Sequence, residues 1–333
     1  MAEKKKIDLK KLGETVEGLA GSAGKAASNV AEKTKAAVTK SKTALVGAID
    51  QNGNGEVDIE DVIILGLRTP GVKINRDQFL QKELFKNYPQ DTINVALATT
   101  PAKAGITREA IDRIADEVIK YERNCVSGIS AALGVPGGVA MAATIPADIA
   151  QYYGYMLRAA QKLLYLYGFP QIDVSEKGQV FDSETMNVLI ICMGVMYGVA
   201  GANKALNAMA KALAAGVEKK LLNTALTKGT IYPIVKNVAK WFNVKMTKEV
   251  FAGFFKKSIP VVGGVIGGGI TFLSFKPCCD RLKNSLRDTM LSNPEFKETD
   301  KDPLVIDVEH VIDVEDDAPP LPPIDPGDDV KDV

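Results

Sequence analysis

The sequence predicts an all-α protein, a multi-helix bundle with Gly-rich apolar central helices and an acidic, disordered C-terminal tail. Three observations predict it. Apolar residues recur at helical spacing in most segments ahead of the tail, no run of alternating β-branched residues suggests a sheet, and three long uncharged stretches rich in Gly and Ala supply core material. A chain of 333 residues with 46% hydrophobic content can bury a sizeable core.

Residues 2–47 place Leu9, Leu12, Val16 and Leu19 at helical spacing, while the Gly and Ser of "GLAGSAGKAASN" dilute helix propensity. A loose basic helix is expected, either solvated or docked on anionic lipid. Next comes "DVIILGLRTPGVKI", a short apolar helix stopped by Pro70 and Gly71, and "NRDQFLQKELFKNYP", a helix closed by Pro89. In "TREAIDRIADEVIKYERN", Ile111, Ile114, Ala115, Val118 and Tyr121 share one face opposite Glu109, Asp112, Asp116 and Lys120, and Thr107 is placed to cap the helix.

The uncharged stretches are residues 125–147, 185–203 and 258–275. Each reaches the roughly 18 residues at which a membrane span becomes a candidate. Dilution by Gly, Ala, Pro and Thr equally suits buried helices of a large bundle, so both readings stay open. Between them "LRAAQKLLYLYGF", "ANKALNAMAKALAAGVEKKLLNTALTKG" and "PIVKNVAKWFNV" are helical by periodicity, and Trp241 with Phe242 suits a core anchor or a membrane interface.

A formal net charge of zero conceals segregation: residues 1–49 hold ten lysines against five acids, and residues 295–333 three lysines against fourteen acids. The organisation that follows is a basic N-terminal helix (1–49), a loop (50–61), a helical domain (62–294) and an acidic Pro-rich tail (295–333). The doubled "VIDVE" of residues 305–315 alternates apolar and acidic residues, as a strand added to a protein partner's sheet edge would. The tail is equally suited to mask the basic core of its own chain. Nothing points to nucleic acid. Four cysteines without a CxxC pair imply a reducing compartment, and the start lacks an apolar segment behind its lysines. A cytoplasmic protein is expected, peripheral or integral at the inner face of the cell membrane.

The most specific motif is "DQNGNGEVDIED". Counted from Asp50, it sets Asp50 at position 1, Asn52 at 3, Asn54 at 5, Gly55 at 6, Glu56 at 7, Asp58 at 9 and Asp61 at 12, the pattern of an EF-hand calcium loop. The chemistry asks for oxygen ligands at 1, 3, 5 and 12, a backbone carbonyl at 7, and a glycine at 6 for the turn around the ion. Val57 at 8 is the apolar residue that pairs one loop with another. Asp in place of Glu at 12, and Asn at 3 and 5, lower the charge and the reach; calcium binding of about 10⁻⁶ to 10⁻⁴ M, with magnesium competing, is expected. A second loop, Asp173 to Glu184, puts Lys177 among the ligands and reads instead as a connection in which Asp182 or Ser183 caps the next helix.

From Gly134 to Pro170, "GVPGGVAMAATIPADIAQYYGYMLRAAQKLLYLYGFP" resembles the EcsC family, and "SIPVVGGVIGGGITFLSF" resembles that family's C-terminal glycine-rich segment. The resemblance covers roughly residues 105–290. It implies a helical, membrane-associated bacterial protein without a settled biochemical activity, and it brings no catalytic residue and neither the loop nor the tail.

Histidine chemistry is excluded from a folded site, because the single histidine, His310, lies in the tail. "GGVIGGG" lacks the lysine of a phosphate loop; Gly263 with Gly267, or Gly264 with Gly268, instead permits close helix contact. Asp148 is the acid set in apolar surroundings, and a helix beginning after Pro146 would stabilise it through the dipole. Alternatively Asp148, Tyr152 and Arg158 line a cavity for a lipid-like ligand. The expectation is a non-enzymatic, calcium-binding, membrane-associated protein; the rivals are a soluble ligand-binding or enzymatic bundle and a pore-forming effector.

Overall fold

A computed structural model describes residues 47–133, 141–174, 181–216, 225–226, 228–243 and 263–292, with side-chain surroundings for 47–128, 149–174, 181–216, 225–226, 228–243 and 274–292. The chain divides into two units, Met1–Ala48 and Ile49–Val333, and the elements below belong to the second. The protein is all-α, with no strand among the described residues. In chain order the helices are α1 (Ile59–Arg68), α2 (Arg76–Leu84), α3 (Gln90–Ala98), α4 (Arg108–Leu133), α5 (Met141–Leu166), α6 (Ser183–Met196), α7 (Ala202–Ala214), α8 (232–243) and α9 (Gly263–Arg287).

Side-chain caps set several helix starts. Asn75 accepts the N–H of Gln78 to start α2, Thr107 Oγ1 accepts the N–H of Ala110 at 3.3 Å to start α4, and Asp182 accepts the N–H of Thr185 at 2.7 Å to start α6. Pro70 and Gly71, the latter at φ 77°, follow α1 and turn the chain away. The reading of Asp173–Glu184 as a capped interhelical connection agrees with Asp182; residues 175–180 lie outside the described residues.

Helices α5 and α6 form the centre. From Met156 to Leu166, α5 buries residues on every side, and α6 buries an unbroken run from Leu189 to Met196. A central helix must satisfy its polar groups internally, and Gln161 does so: its Nε2 donates to Val72 O and Leu157 O at 3.0 Å, and its Oε1 accepts the N–H of Ile74 at 3.1 Å. Helix α1 crosses α5 where Gly66 meets Gly154. A Cβ at Gly66 would stand 3.2 Å from Gly154 N and 2.9 Å from Leu157 Cδ1, so only two glycines permit this approach.

Helices α4 and α9 run antiparallel and are joined by a ladder of ion pairs. Arg108 meets Asp288, Arg287 Nε meets Asp112 at 2.8 Å, and Lys283 meets Asp116 at 2.6 Å. Asp112 also accepts the hydroxyl of Tyr167 at 2.7 Å, which ties the ladder to the end of α5.

Several expectations change. Helix α5 begins at Met141, so Pro146 and Asp148 lie within it, and the placement of Asp148 in a first turn after Pro146 does not hold. The uncharged stretch 185–203 is not one helix: α6 ends at Met196, and Gly198 and Gly201, at φ 71° and 85°, turn the chain into α7. Stretch 125–147 is shared between α4 and α5, and the N-terminal part of 258–275 lies outside the described residues. No helix among the described residues is long and apolar enough to cross a membrane.

Candidate cation-binding loop

The loop from Asp50 to Asp61 is organised by its own acids and amides. Both carboxylate oxygens of Asp50 accept backbone N–H groups, from Gly53 at 2.6 Å and Gly55 at 2.9 Å. Asn52 Oδ1 accepts from Asn54 N at 3.0 Å and Asn54 Oδ1 from Glu56 N at 2.8 Å, two successive Asx turns that curl the chain. Gly53 and Gly55 carry φ of 75° and 83°, the left-handed region that a side chain would strain. Gly55 is the position 6 glycine singled out from the sequence. Gly53 was not, and its signal is the spacing of Asn-Gly-Asn-Gly, which repeats the same turn chemistry.

The far end is locked to α1. Asp58 Oδ1 accepts the N–H of Glu60 at 2.8 Å and of Asp61 at 3.0 Å, while Asp61 Oδ2 accepts the N–H of Asp58 at 3.0 Å, a reciprocal capping box. Asp61 Oδ1 then reaches back to Gln51 N at 2.8 Å and Asn52 N at 3.1 Å. One carboxylate therefore closes the loop and starts the helix. Asp61 is fully buried. Burial raises its pKa, the N–H groups of Asp58, Gln51 and Asn52 pull it back, and the charge of Asp58 adds to the rise.

Charge collects around this point. The carboxyl of Glu60 is also held above its ordinary value, by burial first and then by Asp58 and Asp61. Asn54 Nδ2 donates to Asp58 Oδ2 at 3.2 Å, turning the partial positive charge of an amide toward an acid. The backbone of Ile59, where α1 begins, donates to Asn243 Oδ1 at 3.2 Å, and this links the loop to the end of α8. Val57, the residue assigned to loop pairing, is half-buried.

In kind, the donors suit a hard divalent cation: carboxylate, amide and backbone carbonyl oxygens, with Glu56 offering its carbonyl. Among the described residues, however, no three His, Cys, Asp or Glu side chains converge on one point. The carboxylates of Asp50, Asp58 and Asp61 are turned instead onto backbone N–H groups. To gather around an ion they would have to exchange some of those bonds.

The second set of candidate residues separates. Tyr152 points to α9, its hydroxyl 3.2 Å from Ser274 Oγ and its ring edge-on to Phe275 at 6.3 Å; burial pushes its pKa up to about 12. Arg158 faces α4, where its Nε donates to Glu122 Oε2 at 3.0 Å, and its Nη1 donates to Gly71 O. Lys162 Nζ takes the other oxygen of Glu122. The side chain of Asp148 lies outside the described surroundings. Tyr152 and Arg158 thus serve different helix contacts.

Glu122, fully buried between two cations, was missed by the sequence reading, which turned Tyr121 inward instead. Tyr121 is 59% exposed. The signal was present: Ile111, Ala115, Val118 and Glu122 follow one helical stripe, and Glu122 continues it where Tyr121 does not. Trp241 packs on Phe242 at 5.0 Å and Tyr197 at 6.1 Å, within an aromatic cluster on the bundle.

Against family models, curated proteins and solved structures, the chain has no match.

Proposed function

We propose that this chain is a non-enzymatic, calcium-binding helical protein of EcsC type that works at a membrane surface, with Asp50, Asn52, Asn54, the carbonyl of Glu56, Asp58 and Asp61 as the cation's oxygen donors. One observation carries the reading: Asp61 closes the loop and caps α1 with the same carboxylate. A cation that draws on Asp61 changes the bonds that set where α1 begins. Helix α1 is in backbone contact with α5 through Gly66 and Gly154, so its angle is stiffly transmitted to the centre of the bundle. In sequence, the basic segment 1–49 leads directly into the loop. Ion binding is then read out as a change in how basic and apolar surfaces meet anionic lipid.

The loop's modest charge supports a weak, reversible site, one suited to sensing, with magnesium as competitor. Peripheral attachment at the inner face of the cell membrane is the arrangement this reading requires.

The test is flotation with anionic liposomes, in calcium or in chelator, on wild type, Asp50→Ala and Asp50→Ala/Asp61→Ala. Wild type is expected to float more in calcium and both variants equally in either condition. Asp50→Ala leaves the α1 cap intact, so its loss of response would be a loss of cation binding. Equal flotation of wild type in calcium and chelator, or no heat on calorimetric titration with either ion at millimolar concentration, overturns the proposal.

A further inference from the structure

A groove of about 450 Å³ runs between α4 and α9, lined by Asp116, Lys120 and Arg123 on one side and Lys276, Asp280 and Lys283 on the other. The two acids are already engaged: Asp116 with Lys283 at 2.6 Å, and Asp280 with Lys276 at 2.5 Å, one turn along α9. Four cations against two acids leave the groove positive. Seven residues separate Lys276 from Lys283, about 10 Å of helix, and three separate Lys120 from Arg123, about 4.5 Å. The cations are therefore spread along a strip, not gathered at a point, and the two on α9 are each shared with an acid of the lining.

What would lie along it follows from where the chain goes next. Helix α9, which supplies half of the lining, ends at Arg287, and the described chain ends at Ser292. Beyond it, residues 295–333 hold fourteen acids and three lysines. From Ser292 to Asp307 there are fifteen residues, a reach of about 50 Å when extended, ample for a return along α9. In "VIDVEHVIDVEDD" the acids Asp307, Glu309, Asp313 and Glu315 fall on one edge of an extended chain as two pairs, about 6.6–7 Å apart within a pair and about 13–14 Å from Glu309 to Asp313. The spacing within either pair lets two carboxylates meet cations on a strip of this length.

We propose that residues 307–317 of this chain dock in the α4/α9 groove and mask its positive charge. The occupant is the chain's own acidic segment, which is tethered to the groove's own helix and so acts at a high effective concentration. The proposal is independent of the calcium reading.

The test uses the full chain, a carbodiimide that joins lysine amines to carboxylates in direct contact, and peptide mapping, on a mixture of unlabelled and ¹⁵N-labelled protein. The Lys283–Asp116 link is the internal standard. Links from Lys120 and Lys276 to carboxylates of 307–317 are expected within single chains, in excess over links from the exposed Lys82 and Lys204, and lost at about 1 M NaCl, where the screening length falls to about 3 Å. In Lys120→Glu/Lys276→Glu, with an unchanged circular dichroism spectrum, residues 307–317 should no longer link to Lys283. Tail links spread evenly over the exposed lysines, links that survive high salt, or links mainly between labelled and unlabelled chains would each overturn the proposal, the last by making a second copy the occupant.

Discussion

Asp61 Oδ1 accepts the backbone N–H of Gln51 at 2.8 Å, so the last residue of the loop is bonded to the second. The same side chain holds the N–H of Asp58 and stands in the first turn of α1. Loop shape and helix start are therefore a single variable.

Replacing Asp61 with Ala should remove three backbone partnerships and the capping box together. The N–H groups of Gln51 and Asp58 are only half-buried and that of Asn52 is on an exposed residue, so water replaces part of what is lost and the cost is about 1 kcal/mol. A fall in the urea midpoint at unchanged slope is the expected outcome. Asp50→Ala, whose partners lie in the exposed part of the loop, should lower the midpoint by much less.

The raised pKa of Asp61 gives stability a sign with pH. Its carboxyl binds a proton more readily folded than unfolded, so the contribution is fully present below the ordinary value of 3.8 and is lost as pH rises through the higher folded value. Cation binding has the opposite dependence, because a proton competes for the same oxygens. Calorimetric titrations at a series of pH values should show calcium affinity falling in acid, and Asp61→Asn should remove most of that dependence.

Glu122 is fully buried with Arg158 and Lys162 as partners. Removing one member of a buried ion cluster strands the others, at about 3–5 kcal/mol. Glu122→Ala should therefore destabilise strongly in urea. The triple change Glu122→Leu/Arg158→Leu/Lys162→Met, which strands no charge, should recover most of the loss.

Gly66→Ala should cost about 1–3 kcal/mol, since its methyl would stand 2.9 Å from Leu157 Cδ1 and 3.2 Å from the backbone of Gly154. Gly128 in α4 has nothing within 4 Å of a built Cβ. There, Gly128→Ala should stabilise by about 0.5–1 kcal/mol through helix propensity. Thermal unfolding of the two variants should move in opposite directions.

Thiol chemistry should distinguish one cysteine from three. Cys192, Cys278 and Cys279 are buried, and burial pushes the thiol of Cys192 up to about 12 and that of Cys278 to about 11. Cys125 is half-exposed. Alkylation of the native protein should modify Cys125 first, and all four should react in denaturant.

The all-α class and the starts of α2, α4 and α6 were legible in residue order, because caps and helical periodicity act within a few residues. Pro89, expected to close α2, instead precedes α3, and α2 ends at Leu84. Asn75, Thr107 and Asp182 cap the helices that follow them, and the acids, amides and Gly55 of the loop adopt the turns their types favour. Helix α3, with Pro89 ahead of it and no side-chain cap, gave a weaker signal and was not anticipated. The start of α5 differs from the expectation because Pro146 lies more than a turn inside the helix, where it removes one backbone hydrogen bond but does not end the helix.

What residue order determined by itself was the menu of local shapes: helices, their caps, the curled acidic loop and the opposite charges of the two arms. Tertiary structure decided which groups meet. It turned Tyr121 outward and Glu122 inward, drew Tyr152 to α9 and Arg158 to α4, and opened a positive groove between two helices far apart in sequence. The physical reason is range. Backbone hydrogen bonding and capping are settled within a turn, whereas the partner of a buried charge depends on which helices pack around it.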